Sequence, residues 1–554
     1  MSKENKEVPA QEAVSLKSAL PSDTERYLVY FFLLLVLGFV VYVRVRLLGL
    51  PLERDEGEYA YAGQLILDGV PPYKEAWNMK LPGTYYMYAS FMALFGKSIT
   101  GIHIGLLLTN LASVVLLFLV GKKLLSPFAG AVAGASYAIL SIVPGTYGLA
   151  AHATHFIVLF GLGGLLVLLH ALENQRLRWV GASGLLFGFA FLMKQHAIFF
   201  MLFGGIVILV EAYRASATFR NRAAAKRLAV FAVASVIPYL MVVLSTLLAG
   251  TFDHFWHWTV QYAGGYVSIR NWADTARHFL TSVDFVTDGA RWLWLTGLGG
   301  LGALFFTPIS QRNRLILWLF IFFSFLCLLP GFYFRNHYFI VFLPALSLLI
   351  GIAVQWLSQR AAKLETPYVG IVPVLLFGGM LLWSIYAHRD IYFKKSTAEV
   401  CAWLYGRNPF AESVEVAKFI RDNSTASDRI AVIGSEPQIY FYSQRKSSTG
   451  YIYTYALMEN QPYSLTMQQE MIGEIERQRP KFLIFVDSPF SWMATAASNQ
   501  SILTWFDNYS TAHYNLVGFA DMIAPGKTQY VWREALQYYR VQGQASISVF
   551  ERKQ

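Results

Sequence analysis

Charge is scarce in this chain. Asp, Glu, Lys and Arg make up 14% of its 554 residues, while 55% are hydrophobic and 16% aromatic. An ordinary soluble protein carries about 25% charged residues, so this deficit excludes a soluble enzyme and leaves an integral membrane protein. Cysteine is scarcer still. Cys327 lies within an apolar stretch and Cys401 beyond the last one, so no disulfide framework is expected. A secretory leader is not expected either, because the first 26 residues are polar and mixed in charge. They read as a disordered cytoplasmic tail, with an uncleaved first span from Tyr27. There is no internal repeat, and Gly434-Ser435-Glu436-Pro437 lacks the glycine pattern of a nucleotide site.

What is present is a series of apolar runs near the length of about 20 residues that a helix needs to cross a bilayer. We read about eleven spans, at 27–48, 99–121, 127–144, 155–172, 179–193, 195–212, 228–250, 292–309, 314–331, 337–357 and 368–387. The net charge of +11 is not a nucleic-acid footprint, because much of the excess sits in short connectors. These hold Lys122 and Lys123; Arg176 and Arg178; Arg214, Arg220, Arg222, Lys226 and Arg227; Arg312 and Arg314; Arg360 and Lys363. Basic short loops mark the cytoplasmic side. With the tail inside, every one of these connectors is inside and the C-terminus is outside. The expected location is the inner (plasma) membrane.

The expected organisation is a tail at 1–26, a transmembrane domain at 27–389 and an exported soluble α/β domain at 390–554. The long non-cytoplasmic loops are 49–98 and 251–290. The second carries Phe255, Trp256, Trp258, Tyr262, Tyr266 and Trp272, an aromatic density suited to a membrane interface or to a groove for a sugar or a polyprenyl chain. After Arg389 the chain turns polar. Helices are expected at about 410–422 and 465–478, and strands at Arg429–Gly434, Lys481–Val486, Leu516–Phe519 and Ser546–Phe550; this alternation argues for an α/β layer.

The chemistry-bearing residues gather at span ends. Arg54-Asp55-Glu56-Gly57-Glu58-Tyr59 follows the first span, and its loop closes on Asn78-Met79-Lys80-Leu81-Pro82-Gly83. Carboxylates anchor poorly at a bilayer surface, so an acid cluster with a lysine there suggests work on an anionic, lipid-linked substrate. The run Asp55–Leu65, with Gly69, Pro72-Tyr73, Glu75 and Lys80-Leu81-Pro82-Gly83, resembles the first external loop of GT-C glycosyltransferases. It is more closely similar to bacterial relatives of dolichyl-phosphate-mannose protein mannosyltransferase and of lipid A aminoarabinose transferase. Met193-Lys194-Gln195 and Arg335-Asn336-His337-Tyr338-Phe339 add weaker matches. Two departures stand out: Leu81 where relatives have proline, and His152 and Thr154 where they often have an acid or amide.

The resemblance implies a polytopic α-helical membrane protein of GT-C type and an inverting transfer of one sugar from a polyprenyl-phosphate donor to a glycan, lipid or protein. Asp55 is then the expected general base and Glu56 its alternative; the competing reading makes Asp55 the cap of a helix starting at Glu56, with Glu58 in a capping box. Lys80, Lys194 and Arg335 are expected at the leaving phosphate, against a competing role as snorkelling anchors. Glu58, Tyr59, Glu75, Gln195, His337 and Tyr338 complete the expected substrate-binding set, with Glu75 orienting Lys80 or the acceptor. No metal is assigned: the pairs His152/His155 and His254/His257 lack a third ligand, though Asp55 and Glu56 leave a loosely held divalent cation open. The alternative class is a multi-span transporter or lipid flippase, which should show repeats and broken mid-membrane helices. A ligand sensor is a third, and leaves the first-loop motif without a purpose.

Overall fold

A computed structural model describes residues 23–216, 222–267, 272–364, 366 and 369–553. Residues 1–22 of the expected tail lie outside these, as do the side chains of Tyr266 and Trp272. Every expected span is a helix. Long and apolar enough to cross a membrane are α1 (Asp23–Arg46), α4 (Ile99–Leu124), α6 (Ala153–Asn174), α8 (Ile198–Ser216, taken from Gln195 to Arg214), α9 (Arg222–Leu248) and α14 (Val372–Ala387, taken from Val369). The other expected spans form shorter or more polar helices: α5 (Pro127–Leu140), α7 (Leu177–Met193), α11 (Arg291–Phe306), α12 (Gln311–Leu326) and α13 (Leu343–Ala362). Two short helices, α2 (Arg54–Leu67) and α3 (Gly83–Phe95), make up most of the first long loop, and α10 (Trp272–Thr287) lies in the second.

Packing follows side-chain size. Helix α5 is rich in Ala and Gly and is buried from Phe128 to Leu140. It runs against α1, α4 and α13, where small residues let helix backbones approach and van der Waals contact replaces the hydrophobic drive that lipid cannot supply. Helices α6, α7 and α9 pack in series beside them.

The C-terminal part is a six-stranded sheet in the order β2-β1-β3-β6-β4-β5. Strands β1 (Arg429–Ile433), β2 (Lys446–Ser447) and β3 (Phe482–Asp487) are parallel; β4 (Tyr514–Ala524), β5 (Lys527–Trp532) and β6 (Ala545–Arg552) join antiparallel. Ile430 to Ile433 and Phe482 to Ile484 are fully buried, as continuous apolar runs require when both sheet faces are covered. The expected helices are found at Phe410–Asp422 and Ser464–Gln478. Two strands, β4 and β6, run longer than expected, and β2 and β5 have no counterpart among the expected strands.

This sheet unit sits on the first long loop. Trp77 N–H donates to the Gly450 carbonyl at 2.9 Å, and Ser447 N–H to the Tyr61 hydroxyl at 2.8 Å. Glu75 lies 3.4 Å from Arg429 and 3.5 Å from Lys446, so it ties loop to sheet rather than orienting Lys80.

Candidate active site

Helix α2 begins two residues earlier than the expected start at Glu56. Glu53, extended at φ −74° and ψ 177°, is the N-cap: its carboxylate accepts from Glu56 N–H at 2.9 Å, and the Glu56 carboxylate accepts from Glu53 N–H at 3.3 Å. The capping box therefore belongs to Glu53 and Glu56, not to Asp55 and Glu58. Asp55 is left free to project from the first turn.

Asp55 faces Lys80, whose Nζ lies 2.7 Å from Asp55 Oδ1 and 2.7 Å from Glu58 Oε2. Glu58 is fixed by the Tyr85 hydroxyl at 2.6 Å and the Asn78 amide at 2.8 Å. Tyr59, buried, places its ring 4.7 Å from the same ammonium. The Lys80 backbone is pinned by the Tyr73 hydroxyl at 2.7 Å, and that of Met79 by the Gln195 amide at 2.7 Å. One ammonium serves two carboxyls, one partly and one fully buried, and they part ways. Burial pushes Asp55 up, but Lys80, helped by Lys194, overrides it and holds Asp55 below the usual carboxylate range. On the more deeply buried Glu58 burial wins, and that carboxyl is pushed up.

Asp55 and Lys80 line a cavity of about 500 Å³ between the ends of the helices and the sheet unit. Around it stand Lys194 and Gln195 after α7, Arg335, His337 and Tyr338 before α13, and His152 before α6. Lys194 Nζ rests 3.9 Å from the centre of the Tyr338 ring and has no ion pair among the described residues. Burial, with Asp55 partly opposing it and Lys80 and Arg335 adding to it, brings its ammonium down to about 7. Trp258 and Tyr262 contribute from the second loop, and Tyr453, Tyr455 and Glu459 from the sheet unit.

The spacing of the two lysines is set by backbone. A Cβ on Gly83 would lie 2.5 Å from the Leu192 carbonyl oxygen, and the Thr84 hydroxyl donates to the Met193 carbonyl at 3.0 Å. The turn after Lys80 is thus seated directly on the end of α7, just before Lys194.

Glu56 does not reach the cavity. Fully buried, it accepts from Ala151 N–H at 2.6 Å and lies 3.1 Å from His103 Nε2, which assigns it to holding α2 against the bundle. Neighbouring Glu53 does line the cavity. Burial, then Asp55 and Glu56, push its carboxyl well above the usual range. The acidic run gave no sign of which acid would turn which way.

The histidine pairs seen in the sequence do not act as pairs. His155 turns to the Gly148 carbonyl at 3.1 Å, and His254 stacks on Trp77 at 4.3 Å. His152 instead stacks on His337, with ring centres 4.2 Å apart. Ligand atoms of Asp55, His152 and His337 lie within 4.8 Å of one another. Both ring nitrogens of the buried His152 lack a hydrogen-bond partner, and burial lowers its imidazole to about 4, keeping it neutral. Two neutral imidazoles and a carboxylate are a donor set that fits a divalent cation.

Residues 79–242 match the family profile of dolichyl-phosphate-mannose-protein mannosyltransferase. A search of curated protein sequences finds no match. Among solved structures, ArnT from Cupriavidus metallidurans bound to undecaprenyl phosphate superposes with a TM-score of 0.60 at 15% identity, covering 94% of this chain and 97% of that one. The archaeal oligosaccharyltransferase AglB from Archaeoglobus fulgidus, in complex with an inhibitory peptide and a dolichol-phosphate, superposes at 0.53 with 10% identity, over 93% and 75%. The chain is a multi-pass membrane protein with the fold of the GT-C glycosyltransferases, and it resembles the mannosyltransferase and ArnT branches of that superfamily.

Proposed function

We propose that this protein is an inverting glycosyltransferase that moves one monosaccharide, a hexose or a pentose, from polyprenyl phosphate to a glycan, lipid or protein. The observation that carries this reading is the Asp55–Lys80 pair, 2.7 Å apart in the wall of a cavity that also presents Lys194 and Arg335. The acceptor hydroxyl or amine attacks the anomeric carbon and gives its proton to Asp55. The bond from that carbon to the phosphate oxygen breaks, and polyprenyl phosphate departs with the electron pair toward the cations. A positioned base contributes about 10²–10⁴ in rate, and convergent cations stabilise the departing charge. A phosphate arriving beside Lys80 competes with Asp55 for its ammonium, so donor arrival makes Asp55 a stronger base. Inversion is what the family resemblance implies. The polyprenyl ligands of the two superposed structures support the choice of carrier.

Asp55, His152 and His337 would hold a divalent cation, which supplies charge to the leaving phosphate when bound. The cavity lies at helix ends under the sheet unit, which favours an enzyme over a mid-membrane transporter. The decisive assay incubates membranes with a panel of polyprenyl-phosphate sugars and asks which is consumed only when this protein is present; consumption of none would sink the proposal.

The basic connectors support a cytoplasmic N-terminus and a sheet unit on the outside. Both native cysteines are buried, so a cysteine at Val541, 63% exposed, is a clean reporter. It should react with an impermeant maleimide from outside, and protection until lysis would reverse the orientation.

A further inference from the structure

In open α/β sheets, ligands bind beyond the carboxyl ends of the parallel strands. Here that position, after β1 and β3, is filled by a side chain from the membrane part, Arg54. Its Nε donates to the Ser435 carbonyl at 2.6 Å, Nη2 to Glu436 Oε1 at 2.8 Å and Nη1 to the Tyr455 hydroxyl at 2.7 Å. The guanidinium carbon lies 5.2 Å from the ring centres of both Phe410 and Tyr455. Glu436 is wholly buried, and its second oxygen accepts from the Ser491 hydroxyl at 2.6 Å.

The grip extends to either side of Arg54. Leu52 N–H donates to the Tyr442 hydroxyl at 2.8 Å. At Gly57 a Cβ would fall 2.7 Å from the Gln438 backbone nitrogen, so α2 lies backbone-close against the turn after β1. Between these points stands Asp55.

We propose that Glu436 is a positioning residue for Asp55, acting through Arg54: the sheet unit fixes the first turn of α2 and with it the direction of the carboxylate. A buried guanidinium fork with one arm on a carboxylate gives both energy and orientation through that charge-assisted bond, and the penalty for leaving either charge unpaired keeps the pair engaged. The consequence for transfer rests on the reading of Asp55 as base.

The first test needs no substrate. Hydrogen exchange on the full chain in nanodiscs should show amides of residues 54–60 exchanging about tenfold or more faster in Glu436→Gln, with β1 and β3 unchanged. Unchanged exchange at 54–60 overturns the proposal, and so does loosening that spreads through β1 and β3, because that is mere unfolding of the sheet unit. If Glu436→Gln does not fold, Arg54→Lys and Tyr455→Phe carry the same test, since each keeps the Glu436 charge and removes part of the fork.

Turnover then separates the two claims. Glu436→Gln should slow transfer about tenfold or more while undecaprenyl-phosphate binding stays within about twofold, and should add no loss on an Asp55→Asn background. Losses that multiply on that background would mean Glu436 acts elsewhere. Near-normal turnover by Asp55→Asn would remove the base reading while leaving the exchange result standing.

Discussion

The two walls of the cavity are built from different chemistry. The wall from the helix bundle and its first loop is charged: Asp55, Lys80, Lys194 and Arg335, with His152 and His337 beside them. The wall from the sheet unit is mainly aromatic, with Tyr453 and Tyr455, and offers Glu459. One wall can move a proton and hold an anion; the other can stack on a sugar and keep water out. Within the charged wall the same contrast recurs over a single peptide bond, since Asp55 faces the cavity and Glu56 faces the core.

The sharpest way to break this contrast is Asp55→Asn. Turnover should fall at least about 10²-fold with donor binding retained, as loss of a general base requires. Near-normal turnover would move the base elsewhere, and Glu53, not Glu56, would be the next carboxyl to test because it lines the same cavity.

Glu56→Gln should do the opposite. All of its neighbours, Ala151 N–H, Glu53 N–H and His103 Nε2, present or can present donors to its two oxygens. An amide turns one of those oxygens into a donor, and an unmatched buried polar group costs about 1–3 kcal/mol. The melting temperature should drop while turnover per folded molecule holds; a selective loss of turnover would place Glu56 in the chemistry after all.

The two lysines should separate by pH. Lys80 is pushed well above the ordinary amine range because Asp55 and Glu58 outweigh the effect of burial. Lys194, with its value near 7, loses its charge as pH rises through neutrality. Donor affinity should therefore weaken above about pH 7, by up to roughly tenfold for one charge-assisted contact. Lys194→Arg should flatten that profile and Lys194→Ala should abolish it. An unaltered profile in both would show that Lys194 does not touch the donor.

The smallest effect is expected where loop meets sheet at the surface. Glu75, Arg429 and Lys446 are each partly exposed, so Glu75→Gln should cost no more than about 1 kcal/mol and leave turnover unchanged. A turnover defect would restore Glu75 to the substrate site.

Much of the bundle was legible because hydrophobic length is a local property: each apolar run became a helix. Strands β1 and β3 were legible for the same reason. The β5 strand was not, since Lys527-Thr528-Gln529-Tyr530 is polar and is recruited by pairing with β4. Lys80, Lys194, Arg335 and His337 could be singled out as polar groups at span ends. Which acid caps α2, Glu53 or Asp55, depends on a shift of two residues that composition does not encode. Tyr453, Tyr455 and Glu459 reach the cavity only through tertiary packing, from about 400 residues beyond Asp55.

The seating of Gly83 on Leu192 has a consequence for anyone redesigning this cavity. Lys80 and Lys194 are carried on segments locked main chain to main chain, so they act as a calliper whose hinge points, though not its tips, are fixed. Exchanging side chains around it will tune the strength with which an anion is held. Lysine rotamers adjust the reach of each ammonium, but moving the roots themselves apart for a larger anion, a diphosphate in place of a monophosphate, calls for lengthening a turn.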